Sequence, residues 1–131
     1  MTSRELVRVV RAAAEGKKAR DINVIDLRSR TTLADYFIIC EGDTDRQTRA
    51  IAEAVREAAG ARGLRPFHAA GERDGTWILL DYVDVVVHVF LPGEREFYDL
   101  ESLWQDSAER VPAMAGGRFR QRSAGSRQGV S

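Results

Sequence analysis

Thr76-Trp77-Ile78-Leu79-Leu80-Asp81-Tyr82-Val83-Asp84-Val85-Val86-Val87-His88-Val89-Phe90 is the stretch whose reading decides the fold. It reads as two apolar β runs joined by a short polar turn. Side chains alternate faces along a strand. With Asp81 opposite Asp84 across a two-residue turn, Leu79 faces Val86 and Trp77 faces His88. One face then carries Ile78, Leu80, Val85, Val87 and Val89, a simple core face. The other carries Trp77, Leu79, Val86, His88 and Phe90, with Asp81 and Asp84 at its turn end. An indole, an imidazole and two carboxylates on an apolar face suit docking to a partner protein better than filling a small core. The competing expectation is that the final helical region covers this face, with Trp104 or Phe97 packed on Trp77.

Outward from the hairpin, the pattern alternates between helical and extended periods. Residues 2–15 read as a helix opened by a Thr2/Glu5 capping box. Leu6, Val7, Val10, Ala13 and Ala14 form one stripe, and Gly16 ends it. Residues 22–27 and 36–40 read as strands, the second wholly apolar and therefore buried. Thr44-Asp45-Arg46-Gln47 repeats the capping pattern. It opens a helix with Ile51, Ala52, Val55, Ala58 and Ala59 on one side, closed by Gly60 and Gly63. A short strand is expected within 64–69 and a turn at 71–75. After Pro92-Gly93, residues 94–106 read as a last helix with Phe97, Leu100, Leu103 and Trp104 aligned. The order is α-β-β-α-β-β-β-α. The expected fold is α+β: a single domain with a mixed sheet of about five strands and helices packed on it.

The chain has 131 residues, 44% of them hydrophobic, enough for one core. No run approaches the ~20 apolar residues of a membrane helix, and the charged start is no secretory signal. The lone Cys40 excludes an intrachain disulfide. It reads as a buried structural thiol in a reduced, cytoplasmic setting. The net charge of zero hides an asymmetry. Residues 111–131 hold Arg118, Arg120, Arg122 and Arg127 and no acid, so they carry +4 and the remaining residues −4. The body, residues 1–110, is thus a poor glove for bare nucleic acid and better suited to a basic protein. The Gly/Ser/Gln/Arg-rich tail, 111–131, reads as disordered, with ribosomal or other RNA as a contact its charge allows.

Candidate catalytic chemistry is sparse. Glu41, Asp43 and Asp45 form a carboxylate loop between a strand and a helix, where Mg²⁺ for nucleotidyl transfer would be held. This is the alternative reading, a metal-dependent nucleotidyltransferase-like enzyme. Such an enzyme wants a Gly-Ser turn and a separate pair of aspartates on a later strand, and no later strand supplies them. Helix capping explains Thr44 and Asp45 without a metal. There is no glycine-rich phosphate loop, and His68, His88 and one cysteine make no zinc cluster. No cofactor and no small-molecule substrate are expected. The Trp77 face carries no basic residue, so it is no stacking platform for RNA.

Five ordered segments closely resemble the ribosomal silencing factor family (RsfS, also called Iojap). They are Ala34-Asp35-Tyr36-Phe37-Ile38-Ile39-Cys40-Glu41-Gly42; Asp45-Arg46-Gln47 with Ala50-Ile51-Ala52; Gly75-Thr76-Trp77-Ile78-Leu79-Leu80-Asp81-Tyr82; Asp84 through Phe90; and Phe97-Tyr98-Asp99-Leu100-Glu101-Ser102-Leu103-Trp104. The resemblance covers about residues 5–108. It implies a small non-enzymatic protein that binds the large ribosomal subunit through its protein number fourteen. There it sterically blocks joining of the small subunit and represses translation under nutrient limitation. It also implies a nucleotidyltransferase-like core without its catalytic acids, and a homodimer in several members.

Carried over by position, Trp77, Leu79, Leu80, Asp81, Tyr82, Asp84 and His88 are the candidate docking residues. Asp35, Tyr36, Arg46 and Gln47 match further family positions with structural roles: Arg46 to pair with Asp35 or Glu41, Gln47 to close the helix cap. Asp81 and Asp84 suit Arg or Lys of a basic partner. Two positions depart from the family. Val83 stands where a glycine is usual, and a β-branched residue resists positive φ, so a wider turn is expected. Asp43 adds a charge beside Asp45.

Overall fold

The computed structural model describes residues 1–102. Its elements run α1 (Ser3–Gly16), β1 (Arg20–Asp26), β2 (Tyr36–Glu41), α2 (Asp45–Gly60), β3 (His68–Ala70), β4 (Trp77–Asp81), β5 (Val85–Phe90) and α3 (Pro92–Tyr98). The five strands form one sheet in the order β1-β2-β5-β4-β3. Only the β2–β5 pair is parallel. Every residue of β2, β4 and β5 is buried. That is why these strands read as near-continuous apolar runs: both sheet faces are covered.

The α1–α2 side of the sheet packs Leu6, Val10 and Ala14 of α1 and Ile51, Val55 and Ala59 of α2 onto Ile38, Cys40, Ile78, Leu80, Val85, Val87 and Val89. The opposite side holds Ile25, Leu27, Phe37, Ile39, Trp77, Leu79, Val86, Phe90 and Leu100. The two faces of the hairpin therefore divide as the alternation predicts. Cys40 is buried, and burial pushes its thiol up to about 12, so it is an inert packing group.

The hairpin register differs from the expected one by two residues. Leu79 pairs with His88, Trp77 with Phe90 and Asp81 with Val86. A two-residue shift leaves every side chain on its face, so the facial division survives. The turn is tight despite Val83, which adopts φ 77°. The Asp84 N–H donates to the Tyr82 carbonyl at 2.9 Å, closing a γ-turn around Val83. The Tyr82 N–H reaches the Val85 carbonyl at 2.9 Å. The Asp81 carboxylate accepts the Val83 N–H at 2.7 Å. These bonds hold a β-branched residue in a region it disfavours. Val83→Gly should raise stability by about 1 kcal/mol, because relief of strain exceeds the extra entropy of an unfolded glycine. Val83 is 44% exposed, so little packing is sacrificed. The urea midpoint measures this, and a lower midpoint for the glycine variant would refute it.

Helix ends follow local chemistry with some exceptions. Both bonds of the Thr2/Glu5 capping box form. Gly16 is the last residue inside α1 rather than its terminator. Lys18 takes the left-handed position at φ 63°, with Lys18 N–H to Glu15 O and Ala19 N–H to Ala14 O closing the end. At α2, Thr44 accepts from the Gln47 N–H, but the Gln47 side chain accepts from Asp43 rather than from Thr44. Its amide also donates to the Lys17 and Lys18 carbonyls, tying α2 to the end of α1. The last helix is broken. α3 stops at Tyr98, Asp99 is left-handed at φ 48°, and helical structure resumes at Leu100. Leu103, Trp104 and the tail lie outside the described residues. Among those described, no helix is long and apolar enough to cross a membrane.

Candidate functional site

Of the seven hairpin candidates, six are buried. Leu79, Leu80 and His88 are fully inaccessible, and Asp81, Trp77 and Tyr82 are 1%, 7% and 9% exposed. Asp84 is exposed, and so is Val83 beside it. The docking expectation thus divides into a buried frame and an exposed tip. The side chains of Phe97 and Trp104 lie outside what is described; among the described residues Tyr98 of α3 lies on Trp77, with ring centroids 4.4 Å apart. Phe90 packs on it from within the sheet at 4.9 Å.

His88 is tied to this frame. The Trp77 indole N–H donates to His88 Nδ1 at 3.1 Å, a diagonal contact across the β4–β5 pair. The proton of the neutral ring therefore sits on Nε2. Nε2 has no hydrogen-bond partner among the described residues. Complete burial pushes the imidazole down to about 3, so it is neutral at physiological pH. Phe37 meets its edge at 4.7 Å. The imidazole serves packing and indole orientation.

The tip is fastened to the sheet through backbone. The Asp35 and Tyr36 N–H groups both donate to the Asp84 carbonyl, at 2.7 and 3.1 Å. Asp35, Tyr36 and Asp84 therefore share one end of the sheet. The Tyr36 ring lies under the Arg28 guanidinium at 5.2 Å. Arg28 in turn makes a bidentate pair with Asp26, which holds that carboxyl down at about 2. Arg46 and Gln47 lie at the opposite end, where α2 begins. Arg46 is exposed and does not pair as expected: Glu41 is bound by Arg20 at 3.3 Å and Arg95 at 3.1 Å. A six-residue strand of roughly 20 Å separates Asp35 from that end.

The carboxylate loop is occupied by guanidinium groups. Arg20 takes Asp43 at 2.7 Å, and Arg49 takes Asp45 at 2.9 Å. Arg95 bridges Glu41 and Glu101 with its side chain only 12% exposed. Asn23 of β1 completes the set by donating to Glu101 at 2.9 Å. A divalent ion would have to displace these partners. Arg95, Glu101 and Tyr98, which clamp α3 over Trp77, were not read as functional from the sequence. Arg95 and Glu101 are six residues apart across a helix break, so no helical spacing signals the pair.

The family model for "Ribosomal silencing factor during starvation" matches residues 1–129. The ribosomal silencing factor RsfS of Bacillus subtilis is 38% identical over 107 residues, covering 82% of this chain and 91% of its own. The chloroplastic protein Iojap of Zea mays is 36% identical over 98 residues, covering 75% of this chain and 42% of its own. A crystal structure of a Chromobacterium violaceum protein superposes with a TM-score of 0.79 at 34% identity, covering 88% of this chain and 95% of that one. A hairpin-centred five-stranded sheet, its ordered segments and this match along the chain lead to one assignment: the protein belongs to the ribosomal silencing factor family of translation regulators.

Proposed function

We propose that this protein docks on the large ribosomal subunit through that subunit's protein number fourteen and sterically keeps the small subunit from joining. Translation is thereby repressed when nutrients are limiting. The observation that carries this reading is the family match over residues 1–129. The geometry suits it: a hairpin braced on both faces presents Val83 and Asp84 at a fixed position. Asp84 is the direct contact, paired with Arg or Lys of a basic ribosomal protein. Trp77, Leu79, Leu80, Asp81, Tyr82 and His88 act by fixing the hairpin beneath that contact. A cytoplasmic setting and a homodimeric free state come with the same reading.

Sucrose-gradient sedimentation of purified subunits at near-physiological Mg²⁺ tests it. The protein should co-migrate with the large subunit and shrink the peak of joined ribosomes. Asp84→Lys should weaken co-migration by roughly tenfold or more while its melting temperature stays within a few degrees. Normal joining of subunits in the presence of excess protein would reject the reading.

A further inference from the structure

We propose that the loop between α2 and β3, together with Arg8 of α1, is a second anchor that binds ribosomal RNA. The proposal rests on the large-subunit reading and adds a partner class to it. Arg62, Arg65, Phe67 and His68 are all exposed within seven residues. Phe67 is the most exposed of the large hydrophobics among the described residues, at 71%. Arg8 and Arg62 flank one shallow depression between α1 and α2. Arg65, Phe67 and His68 line a neighbouring groove of about 540 Å³, which Gly60 and Arg56 also border. Gly60 borders the groove and Ala61 and Arg62 the depression, so the two adjoin at the end of α2; the depression is otherwise lined by Val9, Ala12, Ala13 and Ala58.

Charge decides the kind of partner. No ion pair to a carboxylate is formed by Arg8, Arg62 or Arg65 among the described residues. Glu5 is the carboxylate that senses two of them. It is held below its ordinary value first by the Thr2 backbone N–H, with Arg8 and Arg62 adding to the effect. Exposed cations beside an exposed aromatic ring match the requirements of an RNA strand: phosphate neutralisation plus a face on which a base can stack. A protein-docking patch is instead depleted of charge at its centre. The loop is also held ready. The Phe67 N–H donates to the Asp81 carbonyl at 2.7 Å. Leu64 N–H to Ala59 O, with Gly63 left-handed at φ 82°, closes the end of α2. The ring is displayed while its backbone is fixed, which lowers the ordering cost of binding. The Trp77 face, by contrast, is buried and offers no ring to a base. The RNA-competent surface runs from the depression between α1 and α2 to the loop before β3.

The test uses the full chain and purified large subunits over a range of KCl. Two variants are compared with the wild type: Arg62→Glu/Arg65→Glu, and the chain carrying a photo-cross-linking phenylalanine analogue at position 67. The charge-reversed protein should bind roughly tenfold or more weakly. Its plot of log affinity against log salt should flatten by about 0.7–0.9 for each phosphate no longer neutralised. Its circular dichroism should be unchanged, because both arginines are exposed. The cross-link should be to ribosomal RNA and be removed by ribonuclease. A cross-link to a ribosomal protein overturns the RNA assignment. Unchanged affinity and salt slope with no cross-link overturn the anchor and leave the docking reading standing. Failure of the wild type to bind large subunits overturns both.

Discussion

Trp77→Ala should lower the unfolding free energy of this protein by about 4 kcal/mol, read out by chemical denaturation. Three effects combine. The indole is only 7% exposed and packs against Phe90 and Tyr98, so its removal opens a cavity. His88 is deprived of the indole donor, which leaves Nδ1 unsatisfied in a dry site. α3 is deprived of the ring beneath Tyr98, on the side of the helix that faces the sheet. Trp77→Phe keeps most of the packing and deletes the donor, so it should cost about 1–3 kcal/mol. Equal effects of the two substitutions would mean that the hydrogen bond, rather than the packed volume, dominates. The burial of Trp77 means that this candidate docking residue acts on the fold before it can act on any partner. Loss of ribosome binding in Trp77→Ala reports on folding first. Asp84 and the exposed loop arginines are the proposed contacts, and their exposure makes an effect on binding separable from one on stability.

Arg95→Ala has the second largest expected effect, a loss of about 3 kcal/mol at neutral pH. Arg95 donates to Glu41 and makes two bonds to Glu101, at 2.9 and 2.6 Å. Truncation leaves two largely buried carboxylates facing each other without this cation, and breaking such a set from one side is where buried ion pairs are costly. The helix that the guanidinium fastens has no side-chain cap at Leu91 and spans only seven residues, so it depends on tertiary contacts, this one and the packing of Tyr98 on Trp77. The pH dependence has a definite sign. The Glu101 carboxyl is held below its ordinary 4.5, first by the Arg95 hydrogen bond and also by Asn23. Its folded value is thus lower than its unfolded one. The stability it contributes is present above about pH 4.5 and is lost as pH falls through the folded value. The gap between wild type and Arg95→Ala should therefore narrow on acidification. A gap that is constant from pH 7 to pH 3 would show that Arg95 acts through packing of its stem.

The local grammar of the chain was open to sequence reasoning. Capping at Thr2 and Thr44 follows from side-chain oxygens adjacent to unpaired helix N–H groups, an interaction confined to about four residues. The order of elements and the two faces of the hairpin follow from periods of 3.6 and 2, which a two-residue slip in register cannot disturb. The family resemblance likewise rests on segments in a fixed order. Where the expectation failed, specific bonds outweighed the local preference. Val83 should have widened the turn, but bonds from Asp81, Tyr82 and Val85 hold it in a tight one. Residues 94–106 should have been one helix, but Asp99 turns left-handed, and on either side of the break Arg95 and Glu101 join.

The sequence by itself determined which residues meet across one helical turn or one strand step, and hence the α+β class, the helix starts and the facial pattern of the hairpin. Tertiary structure alone decided which of those faces meets solvent. Trp77 is apolar and large in either case; it is buried because Tyr98, from the helix that follows β5, lies on it. Phe67 is exposed because β3 is an edge strand of only three residues. Exposure is a property of what covers a side chain, and the covering group is chosen by chain topology rather than by the neighbours a residue has in sequence.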